Sequence, residues 1–324
     1  MSIERIAEAA SRFARGFDGR LETPLLRSLV MGHTLGCDLM FKAENLQRTG
    51  SFKIRGASAK LSALPSDAAR RGIVTASSGN HGLACAEAGR DLTIPVTVVV
   101  PLTAAANKVD AIARRGAEVI RHGEETGAAE RFAEALATGS GRAYVSPYND
   151  PDVIAGQGTI AVELTAQAPR IDNVFVAMGG GGLVAGIGAV LKAHDPAIRV
   201  FGCSAKASPA LAASLTARRV VSVEHRPTLA DAVSGDMDPD AITLPIAQRV
   251  VDEVVDCDEA AIRDALVRLL FEERMLVEGA AALALAGFLQ VTERLRGQTS
   301  VVILCGSNIG PDKAREMISK ARPS

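Results

Sequence analysis

The stretch NVFVAMGGGGLVAGIGAVLKAH, residues 173–194, decides the fold class of this chain. Its first six residues form a short apolar run typical of a buried strand, four glycines follow, and the rest has the composition of an apolar helix. The same change recurs elsewhere, since IVTA at 73–76 runs into SSGNHG and VVILC at 301–305 runs into GSNIG. This alternation predicts an α/β fold, in which a mostly parallel sheet is flanked by helices on both faces.

Composition excludes several classes of partner. The formal net charge is −1 and tryptophan is absent, so neither an electrostatic footprint nor a stacking surface for nucleic acid is expected. We expect no membrane span, because no uninterrupted apolar run approaches 18 residues. The five cysteines form no C-x-x-C pair, and the first 16 residues lack the apolar core of a signal peptide. These features predict a cytoplasmic protein with reduced thiols.

The glycine run GGGGL, residues 179–183, directly follows a predicted strand. Ligands of open α/β sheets bind beyond the carboxyl ends of the strands, and a helix that begins after such a loop adds the positive end of its dipole. The spacing fits neither a dinucleotide nor a triphosphate motif, so it favours a single small phosphate. The alternative is a glycine-rich turn required for close packing.

The segment SFKIRGA, residues 51–57, places Lys53 in a short apolar context between two glycines. Schiff-base chemistry requires a partly desolvated lysine, and the nearby Arg55 is expected to help lower the pKa of Lys53. The segment SSGNHG, residues 77–82, brings hydroxyls, an amide and backbone N–H groups to the start of a helix, which suits a carboxylate ligand. Helix capping by one of these side chains is the alternative.

SFKIRGA, SSGNHG, GGGGL and CGSN, in this order and spacing, resemble the fold-type II pyridoxal-phosphate enzymes, and within them the serine/threonine dehydratases and serine racemases. The resemblance extends from Glu22 to CGSN at 305–308. It implies a fold like that of the tryptophan synthase β chain, with two α/β domains and pyridoxal 5′-phosphate in the cleft between them. We expect a large cofactor-binding domain over 1–63 and 148–324, and a small mobile substrate domain over 64–147.

The resemblance also implies a role for each motif residue. Lys53 would hold the cofactor as a Schiff base and remove the Cα proton, and Ser78 matches the base on the opposite face in racemases. Cys305 matches the Ser or Cys that faces the pyridine nitrogen. The other implied cofactor contacts are Phe52 on the ring, Asn80 at the phenolic oxygen, and Gly179, Gly180, Gly181, Gly182 and Leu183 at the phosphate. The residues that the resemblance implies for binding the substrate carboxylate are Ser77, Ser78, Asn80 and His81.

The implied reaction is β-elimination from L-threonine or L-serine, giving a 2-oxo acid and ammonia. Serine racemase or 3-hydroxyaspartate ammonia-lyase is the alternative, and β-replacement is disfavoured because such enzymes read S-x-K-D-R where this chain has SFKIR. A non-catalytic nucleotide-binding module that uses GGGGL alone is a further alternative, but the presence of Lys53 argues against it. The resemblance further implies a homodimer with an amino-acid substrate.

Three departures from the family pattern bear on substrate and metal. Leu83 follows Gly82 where Gln is frequent, and Ala232 stands where the T-x-ADG pattern has glycine. Both changes leave the identity of the substrate open. Racemase-like members hold a divalent cation near a G-x-E-P segment, but here Ser204 and Ala205 offer no carboxylate, so no metal is expected.

Overall fold

A computed structural model describes residues 2–16 and 21–320 as an α/β structure with two separate sheets. The larger sheet has six strands in the order β1-β2-β10-β7-β8-β9, all parallel except for β1 at one edge. Its strands are β1 (Leu25–Arg27), β2 (Asp38–Lys42), β7 (Asn173–Ala177), β8 (Arg199–Ala205), β9 (Glu253–Cys257) and β10 (Thr299–Ile303).

The smaller sheet has four parallel strands in the order β5-β4-β3-β6. Its strands are β3 (Ile73–Ala76), β4 (Val96–Val100), β5 (Glu118–Arg121) and β6 (Ala143–Tyr144). The helices are α1 (Ile3–Gly16), α2 (Met31–Leu35), α3 (Lys53–Ser62), α4 (Ser66–Arg71), α5 (Asn80–Leu92), α6 (Ala106–Ala113), α7 (Thr126–Ser140), α8 (Pro151–Gln167), α9 (Gly182–His194), α10 (Ala210–Ala217), α11 (Thr243–Val250), α12 (Glu259–Phe271), α13 (Gly279–Val291) and α14 (Pro311–Lys320).

The predicted α/β class with helix-flanked parallel sheets is confirmed. Central strands such as β4 and β7 are buried at every position, which explains their continuous apolar sequence. The stretch NKVDAIARRGAEVI, residues 107–120, is helix-like in sequence, but it is not helical throughout. Helix α6 ends at Ala113 and Gly116 turns the chain with φ +86°, so the last residues of the stretch form β5 beside β4.

Each sheet has its own apolar core. The core of the smaller sheet includes Ile54, Ala57 and Leu61 of α3, so the helix that begins at Lys53 packs against this sheet although it precedes residue 64. The domain boundaries expected near 64 and 147 therefore stay a prediction. Within the described ranges, no helix is both long and apolar enough to cross a membrane. All five cysteines are free, and four of them are buried.

Candidate active site

Lys53 lies at the first position of α3, where the chain is tied to the end of β10. The N–H of Phe52 donates to the carbonyl of Cys305 at 3.0 Å. The Nζ of Lys53 donates to the carbonyl of Pro147 at 2.7 Å and lies 5.2 Å from the centroid of the Phe52 ring. Residues from three distant parts of the sequence thus meet at one amine.

Burial sets the protonation of this amine. Lys53 as a whole keeps partial exposure, but burial of its amine lowers its pKa to about 8, against smaller opposing effects of Cys305, Cys85 and Glu278. A pKa near 8 leaves roughly a tenth of the amines neutral at pH 7. The side chain can therefore act as a nucleophile or as a base near neutral pH.

Arg55 does not act on Lys53 as expected, because it is bound by two buried carboxylates. Its guanidinium donates to Glu44 at 2.7 and 2.8 Å and to Glu163 at 2.6 and 2.7 Å. Lys42 donates to the same Glu163 carboxylate at 2.7 Å. Burial disfavours the charge of Arg55, but the two carboxylates outweigh this effect and raise its pKa. This buried network anchors α3 to β2 and α8.

The glycine run forms a loop that leaves backbone N–H groups open at the start of α9. Gly181 precedes the helix with φ +91°, and no side chain caps the first turn. A Cβ on Gly180 would lie 2.5 Å from the ring of Tyr148, and one on Gly182 would lie 3.1 Å from the Cα of that residue. Leu183 is buried in the first helical turn. Glycine is therefore required here for close packing against Tyr148, and the start of α9 keeps backbone N–H groups without a side-chain cap, as a phosphate site requires.

The segment Pro147–Tyr148 connects the glycine loop to the lysine. Pro147 accepts the hydrogen bond of Lys53, and Tyr148 packs over the loop from the next position. The hydroxyl of Tyr148 accepts from the N–H of Asp238 at 2.7 Å, which fixes the ring. Neither residue was singled out from the sequence, where a Pro-Tyr pair in a turn carries no chemical signal.

The SSGNHG loop also ends in an uncapped helix. Helix α5 begins at Asn80 without a side-chain hydrogen bond at its cap, so the capping alternative is not realised. Ser77 instead accepts from the N–H of Gly79 at 3.1 Å. Ser77, Ser78 and Asn80 are all partly exposed. The first N–H groups of α5 therefore have no side-chain cap and lie in a partly exposed loop, as an anion site requires.

His81 lies on the inner side of this loop. Its side chain is 2% exposed, and its Nε2 donates to the carbonyl of Val145 at 3.1 Å. Burial, together with the charge of Lys53, lowers the pKa of His81 to about 3, so the ring is neutral. The side chain belongs to the core of the smaller sheet, and a contact of His81 with a carboxylate is limited to its backbone N–H.

Cys305 ends the central strand region opposite the SSGNHG loop. It is buried, and burial raises the pKa of its thiol well above the ordinary value, so the thiol is neutral. Glu278 lies close to it, with Oε1 at 2.4 Å from the position that a Cβ on Gly306 would occupy. Burial raises the pKa of Glu278 to about 7. Sequence reasoning missed Glu278, which stands in an otherwise apolar stretch.

The divergent segment around Ala232 lies against the glycine loop. A Cβ on Gly179 would lie 3.0 Å from the Cα of Val233, so the change at Ala232 affects a wall of the site. Ser204 and Ala205 are buried at the end of β8. No cluster of three or more His, Cys, Asp or Glu side chains suited to a metal ion occurs in the part of the chain that the structure describes.

The arrangement suits pyridoxal phosphate. The uncapped N–H groups at the start of α9 suit a phosphate, and a side chain on Gly180 would displace the Tyr148 ring that packs on this loop. An aldehyde reacts with a lysine amine that is partly neutral, as that of Lys53 is. A second uncapped helix start, at Asn80, remains for the substrate carboxylate. The two anion sites suit the phosphate of the cofactor and the carboxylate of the substrate, and the reactive amine suits the aldehyde of the cofactor.

Comparisons with known proteins agree with this assignment. The profile of the pyridoxal-phosphate dependent enzyme family matches residues 17–306. The L-threonine ammonia-lyase of Thermotoga maritima is 37% identical, over 92% of this chain and 74% of that protein. The catabolic L-threonine dehydratase of Escherichia coli K12 is also 37% identical, over 95% of this chain and 93% of that protein.

A solved structure shows the same architecture. The processed form of threonine deaminase isoform 2 from Solanum lycopersicum superposes with a TM-score of 0.94 at 29% identity, covering 99% of this chain and 94% of that chain. Serine racemases and an L-threo-3-hydroxyaspartate ammonia-lyase are also among the relatives. Since the family profile covers most of the sequence, this chain belongs to the pyridoxal-phosphate-dependent enzymes.

Proposed function

We propose that the protein is an ammonia-lyase that converts L-threonine or L-serine to a 2-oxo acid and ammonia by β-elimination. The observation that carries the proposal is the position of the Lys53 amine, whose pKa is about 8, among the glycine loop, the SSGNHG loop and Cys305. Threonine ammonia-lyases and dehydratases among the relatives, at 37–40% identity over most of the chain, support this choice of substrate.

Five contacts would hold the cofactor. The backbone N–H groups from Gly179 to Leu183 would bind its phosphate, Lys53 would bind its aldehyde carbon, and Phe52 would pack on its ring. Asn80 would donate to its phenolic oxygen, and Cys305 would face its pyridine nitrogen. When bound, pyridoxal phosphate withdraws electrons from the Cα of the amino acid and so makes its proton acidic.

The residues of this chain would then orient the substrate and move one proton. The N–H groups at the start of α5, with the hydroxyls of Ser77 and Ser78, would bind the α-carboxylate. This contact would place the Cα–H bond toward Lys53. The neutral amine of Lys53 would accept the Cα proton at its Nζ, and the β-hydroxyl would take up a proton and leave as water, so that the net loss from the amino acid is one water molecule. The walls around this amine exclude water from it, as its lowered pKa reflects.

Cys305 favours elimination in this proposal. Its thiol is neutral and carries no charge to balance a protonated pyridine nitrogen, as an aspartate would. The cofactor is then a weaker electron acceptor, which favours the loss of a β-substituent over transamination.

Racemisation is the second candidate, because Ser78 matches the opposite-face base of racemases and is partly exposed. A serine hydroxyl is a weak acid, so we place racemisation second. The test measures 2-oxo acid and ammonia from L-Ser, L-Thr, their D-isomers and the 3-hydroxyaspartates, with chiral chromatography of the remaining substrate. Rapid keto-acid release from L-Thr or L-Ser supports the proposal, and faster accumulation of the D-isomer contradicts it.

We also propose that the residues around the smaller sheet, 64–147, form a mobile domain that closes on the substrate. The SSGNHG loop belongs to this sheet and the glycine loop to the larger one, so closure would bring both anion sites together. Small-angle scattering with and without a substrate analogue tests this proposal. An unchanged radius of gyration contradicts it.

A homodimer in the cytoplasm is the remaining part of the proposal. Leu29 is 67% exposed and its N–H donates to Glu273 at 2.6 Å, and Phe271 and Leu276, on either side of Glu273 in the sequence, are 47% and 48% exposed. Apolar side chains grouped in this way mark an association surface. Light scattering should give twice the chain mass, and Leu29→Asp should reduce it to the mass of the monomer.

Five free cysteines support a reducing compartment such as the cytoplasm, which cell fractionation tests.

A further inference from the structure

Glu278 is a buried carboxylate that the proposed reaction does not use. It directly precedes α13 and is 5% exposed, and its N–H donates to the carbonyl of Gly306 at 3.0 Å. Its carboxylate turns away from α13 and caps no N–H of that helix. A buried carboxylate that serves neither a salt bridge nor a helix cap requires another reason to be there.

The carboxylate instead binds the side-chain amide of Asn80. The Nδ2 of Asn80 donates to the Oε1 of Glu278 at 2.8 Å. On the other side, the Nδ2 of Asn308 donates to the Oδ1 of Asn80 at 2.6 Å and to the carbonyl of Thr49 at 2.8 Å. Asn80 is therefore held from both sides by residues that belong to the larger-sheet part of the chain.

Only one orientation of the two amides satisfies these contacts. An ionised carboxylate only accepts hydrogen bonds, so the Asn80 atom that faces Glu278 must be its nitrogen. A backbone carbonyl also only accepts, so Asn308 turns its nitrogen to Thr49 and to the oxygen of Asn80. The nitrogen of Asn80 keeps a second hydrogen, which is available to another acceptor.

We infer that Glu278 and Asn308 are positioning residues that fix the orientation of the Asn80 amide, so that it presents N–H and not C=O to the phenolic oxygen of the cofactor. This inference rests on the proposed function, which gives Asn80 that role. A flipped amide would direct its carbonyl at an anionic oxygen, and the contact would be repulsive. The pKa of Glu278, which burial raises to about 7, is compatible with this role, because a neutral carboxyl still accepts through its carbonyl oxygen, while the nitrogen of Asn308 holds the Asn80 oxygen in place in either state.

The test is a titration of the apoprotein with pyridoxal phosphate, followed by the visible absorbance of the bound cofactor. Glu278→Ala should weaken cofactor binding about tenfold, which is the effect of one lost hydrogen bond. Glu278→Gln should restore most of the affinity, because its amide oxygen accepts from Asn80. Asn308→Ala removes the other contact and should weaken binding in the same direction. Glu8→Ala, at an exposed site, is the control and should leave binding unchanged.

A double-mutant cycle separates positioning from general structural damage. If Glu278 acts through Asn80, then Glu278→Ala should add little to the loss already caused by Asn80→Ala. Equal weakening by Glu278→Ala in both backgrounds, or a Glu278→Gln variant as weak as Glu278→Ala, would overturn the inference while leaving the proposed function intact. An Asn80→Ala variant with unchanged affinity would instead contradict the role of Asn80 in the proposed function, and the inference with it.

Discussion

Replacing Arg55 by methionine should destabilise the protein more than almost any other single change of a charged residue. Arg55 is 2% exposed and makes four hydrogen bonds to the carboxylates of Glu44 and Glu163. Among the described residues, the network with Lys42 contains two positive and two negative charges, and Arg55→Met leaves one buried negative charge of these in excess. Breaking a buried ion pair from one side costs about 3–5 kcal/mol, a large part of a typical free energy of unfolding.

The assay is equilibrium denaturation of the apoprotein, with Arg71→Met as the matched control. Arg71 forms an exposed i,i+4 pair with Asp67, so its loss should cost about 0.5 kcal/mol or less. Adding Glu44→Gln to Arg55→Met should recover part of the loss, because the buried charges balance again. If Arg55→Met costs no more than Arg71→Met, the reasoning about the network is refuted.

The same network gives this prediction a pH dependence. Burial alone would raise the pKa of Glu163, but Arg55 and Lys42 lower it below the ordinary value. The ion pairs therefore stabilise the fold at pH values above about 4.3, the ordinary glutamate pKa, and this contribution is lost as the pH falls through the lower folded pKa. The difference in stability between wild type and Arg55→Met should shrink in acid. A difference that grows on acidification would contradict the assignment.

Three further predictions concern the site. Gly180→Ala should weaken pyridoxal-phosphate binding at least about tenfold, because its Cβ meets the fixed ring of Tyr148 at 2.5 Å, while Gly139→Ala, in open space, should bind normally in the same titration. The rate of Cα-proton exchange of the substrate, measured by NMR in D₂O, should rise with pH and level off above about 8, as Lys53 loses its proton; a rate independent of pH between 6 and 9 would contradict this. Turnover should survive dialysis against a chelator, whereas a large loss that magnesium or calcium restores would reveal a cation site.

Much of the sheet framework is predictable because parallel central strands are buried on both faces. Runs such as Ile73–Ala76 and Val96–Val100 carry an uninterrupted apolar signal, and both are strands. Edge strands lack that signal. Strand β5 (Glu118–Arg121) is exposed at both of its ends and continues a helix-like stretch of sequence, and its pairing with β4 selects the extended form.

The site divides in a similar way. Motifs that are continuous in sequence, such as SFKIRGA and GGGGL, can be recognised from their local composition, which indicates the chemistry of the site. The carboxylate of Glu278 contacts Asn80, about 200 positions away in the sequence, so no local pattern marks it. The surroundings of the Lys53 amine are likewise formed by residues that are distant in the sequence. Burial, rather than the neighbouring Arg55, lowers its pKa, and this follows only from the packing around the amine.

The most direct test of the central claim is to locate the lysine that carries the cofactor. The purified holoenzyme is reduced with borohydride, which fixes pyridoxal phosphate to its lysine, and the digested protein is mapped by mass spectrometry. The account predicts that the added mass lies on the peptide containing Lys53, and that Lys53→Ala yields no modified peptide and no 2-oxo acid from L-threonine. A modification on another lysine in the wild-type enzyme, or retained turnover in Lys53→Ala, would contradict it.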